Sequence, residues 1–149
     1  GAIELHKLST HYLKLKKIFE RTTHLINEYK PNEVALEAPF MGKNAQSMLK
    51  LGRAQGVSMA AALSQDIPVF EYAPKKIKQS ITGNGSASKE QVAGMLINIL
   101  KIKAMPKYLD ATDGLAVAVC HHFQGGKHTS ETSYSGWGAF VKANPKRTK

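Results

Sequence analysis

Three acidic residues in this chain have the types and the spacing that divalent metal sites use. Glu37 follows the apolar stretch 34–36, which reads as a short strand, and ligand sites in α/β proteins tend to lie at the carboxyl ends of strands. Asp110 and Asp113 are three residues apart, so a helix would place both on one face. Two carboxylates at that spacing repel each other near an apolar core and need a compensating cation, and Mg²⁺ prefers oxygen ligands.

The spacing alone leaves a structural explanation of the two aspartates equally open. Asp110 could cap the N-terminus of a helix, with Asp113 a first-turn acid that the helix dipole favours. Glu37, taken by itself, is more often an ordinary surface acid. Residues 115–120, which follow the pair, are all apolar, so the helix that carries the aspartates is expected to be largely buried.

Alternating strand and helix patterns predict an α/β fold around these acids. Strands are expected at Glu33–Glu37 and Ile67–Tyr72, and Gly1–Leu5 reads as the remainder of another strand. Helices are expected over Thr10–Tyr29, Asn44–Gln65, Pro74–Ile81, Ser88–Ile102 and Tyr108–Phe123. A sheet of two strands is a poor centre for so many helices, so the pattern suggests that sheet strands are missing.

The charge balance favours a polyanionic partner. The chain of 149 residues carries 21 Lys and Arg against 11 Asp and Glu, a formal charge of +10. Such a surface attracts nucleic acid by long-range attraction and counterion release, although some proteins are basic without having such a partner. No apolar run is long enough for a membrane span, and the N-terminus lacks the pattern of a signal peptide. Cys120 is the single cysteine, which excludes an internal disulfide and favours a reducing compartment, in keeping with a cytoplasmic protein.

Four blocks of the sequence together resemble the RuvC family of Holliday-junction resolvases. Residues 35–56 read Ala-Leu-Glu-Ala-Pro-Phe-Met-Gly-Lys-Asn-Ala-Gln-Ser-Met-Leu-Lys-Leu-Gly-Arg-Ala-Gln-Gly, and residues 68–79 read Pro-Val-Phe-Glu-Tyr-Ala-Pro-Lys-Lys-Ile-Lys-Gln. The other blocks are residues 83–91 and residues 110–118, the last reading Asp-Ala-Thr-Asp-Gly-Leu-Ala-Val-Ala. The blocks have the order and the spacings of the family, and the resemblance covers about residues 1–123.

The resemblance implies an RNase H-like fold, in which a mixed sheet of five strands is flanked by helices. It implies a homodimer that resolves four-way DNA junctions in recombination and repair by metal-dependent phosphodiester hydrolysis. The metal would be Mg²⁺, for which Mn²⁺ can substitute, with two ions in each active site. Branch-migration proteins of the RuvA and RuvB type would be its protein partners.

The resemblance also assigns the metal ligands. Glu37, Asp110 and Asp113 match three of the four acidic positions around the metal in this family, which would make them catalytic. The fourth position is an Asp on the first strand, in a motif of the Gly-Ile-Asp-Pro-Gly type that this chain lacks. The first two strands of the fold are therefore expected to be missing.

Four further residues are expected to contact DNA. Lys78 and Lys89 match lysines that the family places near the scissile DNA, and Lys43 could extend the phosphate-binding surface. Phe40 matches an aromatic residue that the family stacks on bases near the crossover. Without the resemblance, Lys78 and Lys89 read as solvated surface lysines, and Phe40 could instead anchor its loop to the core.

Residues 1–124 are expected to form the nuclease core and residues 125–149 a flexible basic tail, which Trp137 and Phe140 could partly anchor. Gly52 and Gly56 lie four residues apart on one helix face and would allow another helix or subunit to approach closely. Cys120 is expected in the core, and the histidines form no metal-binding pattern.

Two other functions remain open at this point. Because the first-strand Asp is absent, a non-catalytic protein that binds structured DNA is the main alternative to a junction-resolving nuclease. The second is a nuclease of the RNase H-like fold that acts on another structured nucleic acid.

Overall fold

Three stretches of the chain are described by the structure, a computed structural model: residues 2–39, 44–103 and 109–125. Helices and strands alternate along them, as the sequence predicted for an α/β fold. In chain order the elements are α1 (His11–Tyr29), β1 (Val34–Glu37), α2 (Ala45–Leu63), β2 (Val69–Tyr72), α3 (Pro74–Thr82), α4 (Lys89–Leu100) and α5 (Leu109–Phe123).

Polar side chains set where three of the helices begin. Thr10 accepts a hydrogen bond from the backbone of Leu13 at the start of α1, and Asn44 accepts one from Ser47 at the start of α2. Ser88 precedes α4 and forms the reciprocal pair of bonds of a capping box with the third helical residue. These local signals are visible in the sequence, which is why the predicted helix starts agree with the structure to within a residue.

The two strands pair in parallel, with Val34 opposite Val69 and Glu37 opposite Tyr72. Successive side chains of a strand point to opposite faces of the sheet. Val34 and Val69 therefore face one layer of helices, whereas Ala35 and Tyr72 pack against the other. Glu37 is two residues beyond Ala35, so it shares the second face.

Each face of this sheet has its own apolar core. The core beneath α1 and α2 is small and consists of Ile26, Ala61 and Ala62, with Val34, Ile67 and Val69 packed against it. The core beneath α3, α4 and α5 is larger and consists of Ile77, Ile81, Ala87, Val92, Leu96, Ala116, Val117, Val119 and Cys120. The expectations that α5 is largely buried and that Cys120 belongs to the core are thus confirmed.

One expectation about packing is wrong, and for a second the structure shows no contact within the described part of the chain. Residues 2–5 form no strand, because in the described stretches no neighbouring strand offers them a hydrogen-bonding partner. Gly52 and Gly56 lie on α2, but a Cβ atom added at either would meet no atom of the described chain within 4 Å. Close approach at these glycines is therefore not used within the described part of the chain.

None of the helices in the described stretches combines the length and the apolar character that crossing a bilayer would require.

Candidate active site

A cleft opens where the carboxyl end of β1 meets the first turns of α4 and α5 and one side of α3. It brings together four residues that the sequence singled out: Glu37, Lys78, Lys89 and Asp113. Its remaining wall is mostly apolar and consists of Pro74, Ile77, Val92 and Ala116. Two carboxylates and two ammonium groups thus share a single cleft, although they come from four different elements.

The local structure explains how each group reaches the cleft. Glu37 is the last residue of β1, at the carboxyl end of the parallel strands. Pro74 is the first residue of α3, where its fixed φ suits a helix start, and Lys78 follows one turn later. The capping box at Ser88 starts α4 at Lys89, and the lysine side chain lines the cleft.

The carboxyl group of Glu37 is in an unfavourable electrostatic position. Burial raises its pKa above the ordinary value of 4.5, and the negative charge of Asp113 raises it further. Lys89 and Lys78 act in the opposite direction and lower the pKa, but they do not cancel the effect. The two carboxylates are therefore close enough to repel each other, which is the arrangement that a bound cation relieves.

Asp113 is paired with Lys89. The ammonium nitrogen Nζ of Lys89 lies 2.8 Å from the Oδ2 atom of Asp113, and both side chains are partly exposed. The alternative in which Asp113 is only a first-turn helix acid does not account for this contact with a lysine of α4. The sequence predicted that Lys89 contacts DNA, and the structure gives it a carboxylate partner inside the cleft.

The backbone of Asp110 lies in α5, one residue after the helix begins at Leu109. The alternative that Asp110 is the N-cap of this helix is therefore wrong, because the N-cap precedes the first helical residue. The position of the Asp110 side chain lies outside what the structure describes, as do Phe40 and Lys43. Among the described side chains, no group of three or more His, Cys, Asp or Glu is arranged to hold a metal ion.

Gln55 is a site residue that sequence reasoning missed. Its side-chain amide on α2 donates one hydrogen bond to the backbone carbonyl of Glu37, at 3.3 Å, and a second to the carboxylate of Glu71 on β2. The amide therefore ties the ends of both strands to α2, directly behind the cleft. Only its position within the resembling block 35–56 could have drawn attention to it.

A second missed feature is a chain of hydrogen bonds centred on His121 of α5. His121 contacts the hydroxyl of Tyr72 on one side and the carboxylate of Glu33 on the other. Burial raises the pKa of the Tyr72 hydroxyl above its ordinary value of 10.0, so this hydroxyl keeps its proton. The sequence has six histidines, of which His121 and His122 are adjacent, and it gave no reason to choose His121.

The chemistry available in the cleft follows from these groups. Carboxylate oxygens are the ligands that hard divalent cations prefer, and ammonium groups bind phosphate oxygens. A site that offers both suits a phosphate ester held beside a divalent cation.

Comparisons with known proteins agree with this interpretation. A family model described as "Crossover junction endodeoxyribonuclease RuvC" matches residues 1–121. The chain is 63% identical over 147 residues to the crossover junction endodeoxyribonuclease RuvC of Christiangramia forsetii, covering 99% of this chain and 77% of that protein. It is 61% identical over 149 residues to the protein of the same name from Cytophaga hutchinsonii, covering 100% of this chain and 74% of that protein.

Solved structures give the same result for the fold. Thermus thermophilus RuvC superimposes with a TM-score of 0.75 at 30% identity, over 83% of this chain and 75% of that one. The same protein in complex with a Holliday junction substrate superimposes with a TM-score of 0.78 at 30% identity, over 83% of this chain and 74% of that one. The fold is thus the RNase H-like fold of these nucleases, and the chain belongs to the family of the crossover junction endodeoxyribonuclease RuvC.

Proposed function

We propose that this protein is a structure-specific endonuclease that resolves four-way (Holliday) DNA junctions by metal-dependent phosphodiester hydrolysis. The observation that carries the proposal is the cleft that Glu37 and Asp113 share with Lys78 and Lys89. The relatives named as crossover junction endodeoxyribonucleases and the Thermus thermophilus complex with a Holliday junction substrate support the choice of reaction and substrate.

The donor set fits a divalent metal. Glu37 and Asp113 offer oxygen ligands. Burial and, after it, the negative charge of Asp113 raise the pKa of Glu37, so a cation between the two carboxylates is favoured. Asp110, one helical turn before Asp113, would supply a further carboxylate. We assign Mg²⁺ as the metal, with Mn²⁺ able to substitute and two ions in each site. When bound, such ions activate a water and stabilise the leaving oxygen of the phosphodiester.

The lysines of the cleft bind and orient the DNA strand. Lys78 lines the cleft beside the carboxylates, so its ammonium would hold a phosphate oxygen at the place of cleavage. Lys89 also lines the cleft and would do the same, and without DNA it is paired with Asp113. Phe40 stacking on a base at the crossover and Lys43 contacting phosphate remain predictions from the sequence, as does the division into a core over residues 1–124 and a basic tail.

The proposed assembly is a homodimer. A four-way junction has two strands to cut, so two identical subunits would each present one cleft to one strand. Branch-migration proteins of the RuvA and RuvB type are its proposed partners on the same DNA.

The test is cleavage of a synthetic four-way junction with Mg²⁺ or Mn²⁺ by the full-length protein, with a linear duplex as the competitor. We expect symmetric cutting of the junction that an excess of linear duplex does not suppress. Asp113→Asn should lower cleavage by about 100-fold or more while sparing junction binding, because an amide is a poor ligand for these cations. Junction binding without cleavage by the wild-type protein would refute the enzymatic function.

A further inference from the structure

His121 joins two separate parts of the sheet to α5. Its Nδ1 atom lies 2.6 Å from the hydroxyl of Tyr72, the last residue of β2. Its Nε2 atom lies 2.7 Å from the Oε2 atom of Glu33, the residue that precedes β1. The imidazole also packs on the ring of Phe70, with ring centroids 4.7 Å apart. The side chain of His121 is only 14% exposed, so water competes weakly for these contacts.

One arrangement of protons satisfies all three polar groups. With a hydrogen on Nε2, the imidazole donates to the carboxylate of Glu33, and Nδ1 can accept the hydrogen bond that the phenol of Tyr72 donates. Both ring nitrogens are then used, which fixes the tautomer and the orientation of the ring. A chain of hydrogen bonds of this kind is directional, unlike the contacts between apolar side chains.

The position of His121 on α5 relates it to the cleft. Asp113 and His121 are eight residues apart on the helix, which corresponds to about 12 Å. Glu37 ends β1 and Glu33 precedes it, so the two are four residues apart, which corresponds to about 13 Å of extended chain. Asp113 shares a cleft with Glu37, and His121 bonds to Glu33, so α5 runs antiparallel to β1 and is matched to it at two points.

We propose that His121 is a positioning residue for the nuclease site, which fixes α5 along the sheet and thereby sets Asp113 against Glu37. The buried residues of α5 in this region are Ala116, Val117, Val119 and Cys120. Small aliphatic side chains of this kind hold a helix against a sheet but restrain its sliding weakly, because burial of apolar area is non-directional. The bonds of His121 supply the missing restraint along the helix axis. This inference rests on the proposed function.

The test uses His121→Phe, which keeps a ring against Phe70 but removes both hydrogen bonds. A displacement of about 1 Å at a reacting group can cost roughly 100-fold in rate, so we expect kcat to fall by about 10- to 100-fold. Junction binding should be unchanged, because the DNA-binding lysines are on α3 and α4. Calorimetric titration should show weaker Mn²⁺ binding in the absence of DNA.

Two further variants separate positioning from a general effect on folding. His121→Gln can still donate to Glu33 and should recover part of both the kcat and the Mn²⁺ affinity. His122→Phe alters the exposed neighbouring ring and should leave both at the wild-type level. If His121→Phe lowers only the melting temperature, with kcat and Mn²⁺ affinity unchanged, the proposal is wrong.

The remaining outcomes are also decisive. If His121→Phe does not fold, Glu33→Gln is the alternative variant, because it weakens the hydrogen bond to His121 while keeping the shape of the residue at position 33. It should lower kcat and Mn²⁺ affinity by a smaller factor than expected for His121→Phe. Unchanged values in that variant would overturn the proposal. Nitrogen NMR of the imidazoles should show His121 with a hydrogen on Nε2, and an Nε2 without a hydrogen would contradict the network. If the wild-type protein cuts no junction, the proposed function fails, whereas Mn²⁺ affinity and NMR still test the positioning role.

Discussion

The ammonium nitrogen of Lys89 lies 2.8 Å from a carboxylate oxygen of Asp113, which links the first residue of α4 to α5. One residue is a proposed phosphate ligand and the other a proposed metal ligand. Because Lys89 and a divalent ion would be attracted to the same carboxylate, binding of the metal should release the lysine for contact with DNA. The ion pair therefore couples the two halves of the site.

Replacing Lys89 by Met should separate these two effects. Without the competing ammonium, Asp113 should bind Mn²⁺ about two- to fivefold more tightly, the range expected from a partly exposed ion pair. Junction cleavage should fall nevertheless, because a phosphate contact is lost. Calorimetry without DNA and cleavage at saturating metal measure the two effects separately.

The matched control for Lys89→Met is Lys17→Met, an exposed lysine on α1 outside the cleft. It should change neither the affinity for Mn²⁺ nor the rate of cleavage. Unaltered Mn²⁺ binding in Lys89→Met would show that the ion pair does not compete with the metal.

Glu37→Gln should make the metal-free protein more stable at neutral pH. The pKa of Glu37 is raised in the folded state, so protonation of this carboxyl stabilises the folded protein. That stabilisation is complete below pH 4.5, and it is lost as the pH rises through the folded-state pKa. Glutamine imitates the protonated form at every pH. The gain should reach at most about 1 kcal/mol, since solvent screens a partly exposed carboxylate. Denaturant unfolding at several pH values measures it.

Two comparisons identify the cause of that gain. The difference in the free energy of unfolding between Glu37→Gln and the wild-type protein should shrink as the pH falls below 4.5. Glu4→Gln, at an exposed position outside the cleft, should give no comparable gain in stability. Added Mg²⁺ should stabilise the wild-type protein more than the variant. A variant that is less stable than the wild type at pH 7 without metal would contradict the electrostatic argument.

Local signals account for the parts of the fold that the sequence predicted well. Thr10, Asn44 and Ser88 cap their helices through hydrogen bonds to residues three positions ahead. Both partners of each bond are therefore close together in the sequence, which makes the helix starts predictable. Strands depend instead on a partner elsewhere in the chain. Residues 2–5 have the composition of a strand end but no neighbour in the described sheet, and the expectation for them was wrong.

The site was predictable to the same extent. Glu37 and Asp113 were singled out by their positions on an expected strand and helix, and the blocks that resemble one family then matched both to metal ligands. Gln55 and His121 act through contacts with residues 18 and 88 positions away, and no local pattern specifies such contacts. These contacts became visible only once the strands and helices were placed against one another.

Gln55→Leu should affect catalysis more than folding. The substitution removes the two hydrogen bonds that the amide donates to the Glu37 carbonyl and to Glu71. The loss of such bonds should lower the free energy of unfolding by about 1 kcal/mol. The end of β1 would then be less firmly held, so kcat should fall while junction binding is kept. Gln79→Leu, at an exposed position on α3, is the control for the loss of an amide. Equal effects of the two variants on kcat would argue against a role for Gln55 in holding the end of β1.

Lys78→Ala should weaken junction binding in a way that depends on salt. Lys78 lines the cleft beside Glu37, and its ammonium lowers the pKa of that carboxyl, so it lies within electrostatic reach of the reaction site. A lysine that neutralises one phosphate contributes about one unit to the slope of log Kd against log salt concentration. The variant should therefore show a slope smaller by about one unit and a lower kcat.

The comparison for Lys78→Ala is Lys103→Ala, an exposed lysine beyond the far end of α4. Since α4 has 12 residues and is about 18 Å long, Lys103 is well removed from the cleft. Its loss should change the salt slope less than the loss of Lys78 and should leave kcat unaffected. If the wild-type protein and Lys78→Ala show the same salt slope, Lys78 makes no contact with phosphate. A lower kcat in this variant would then come from the loss of the lysine's effect on the charge of Glu37.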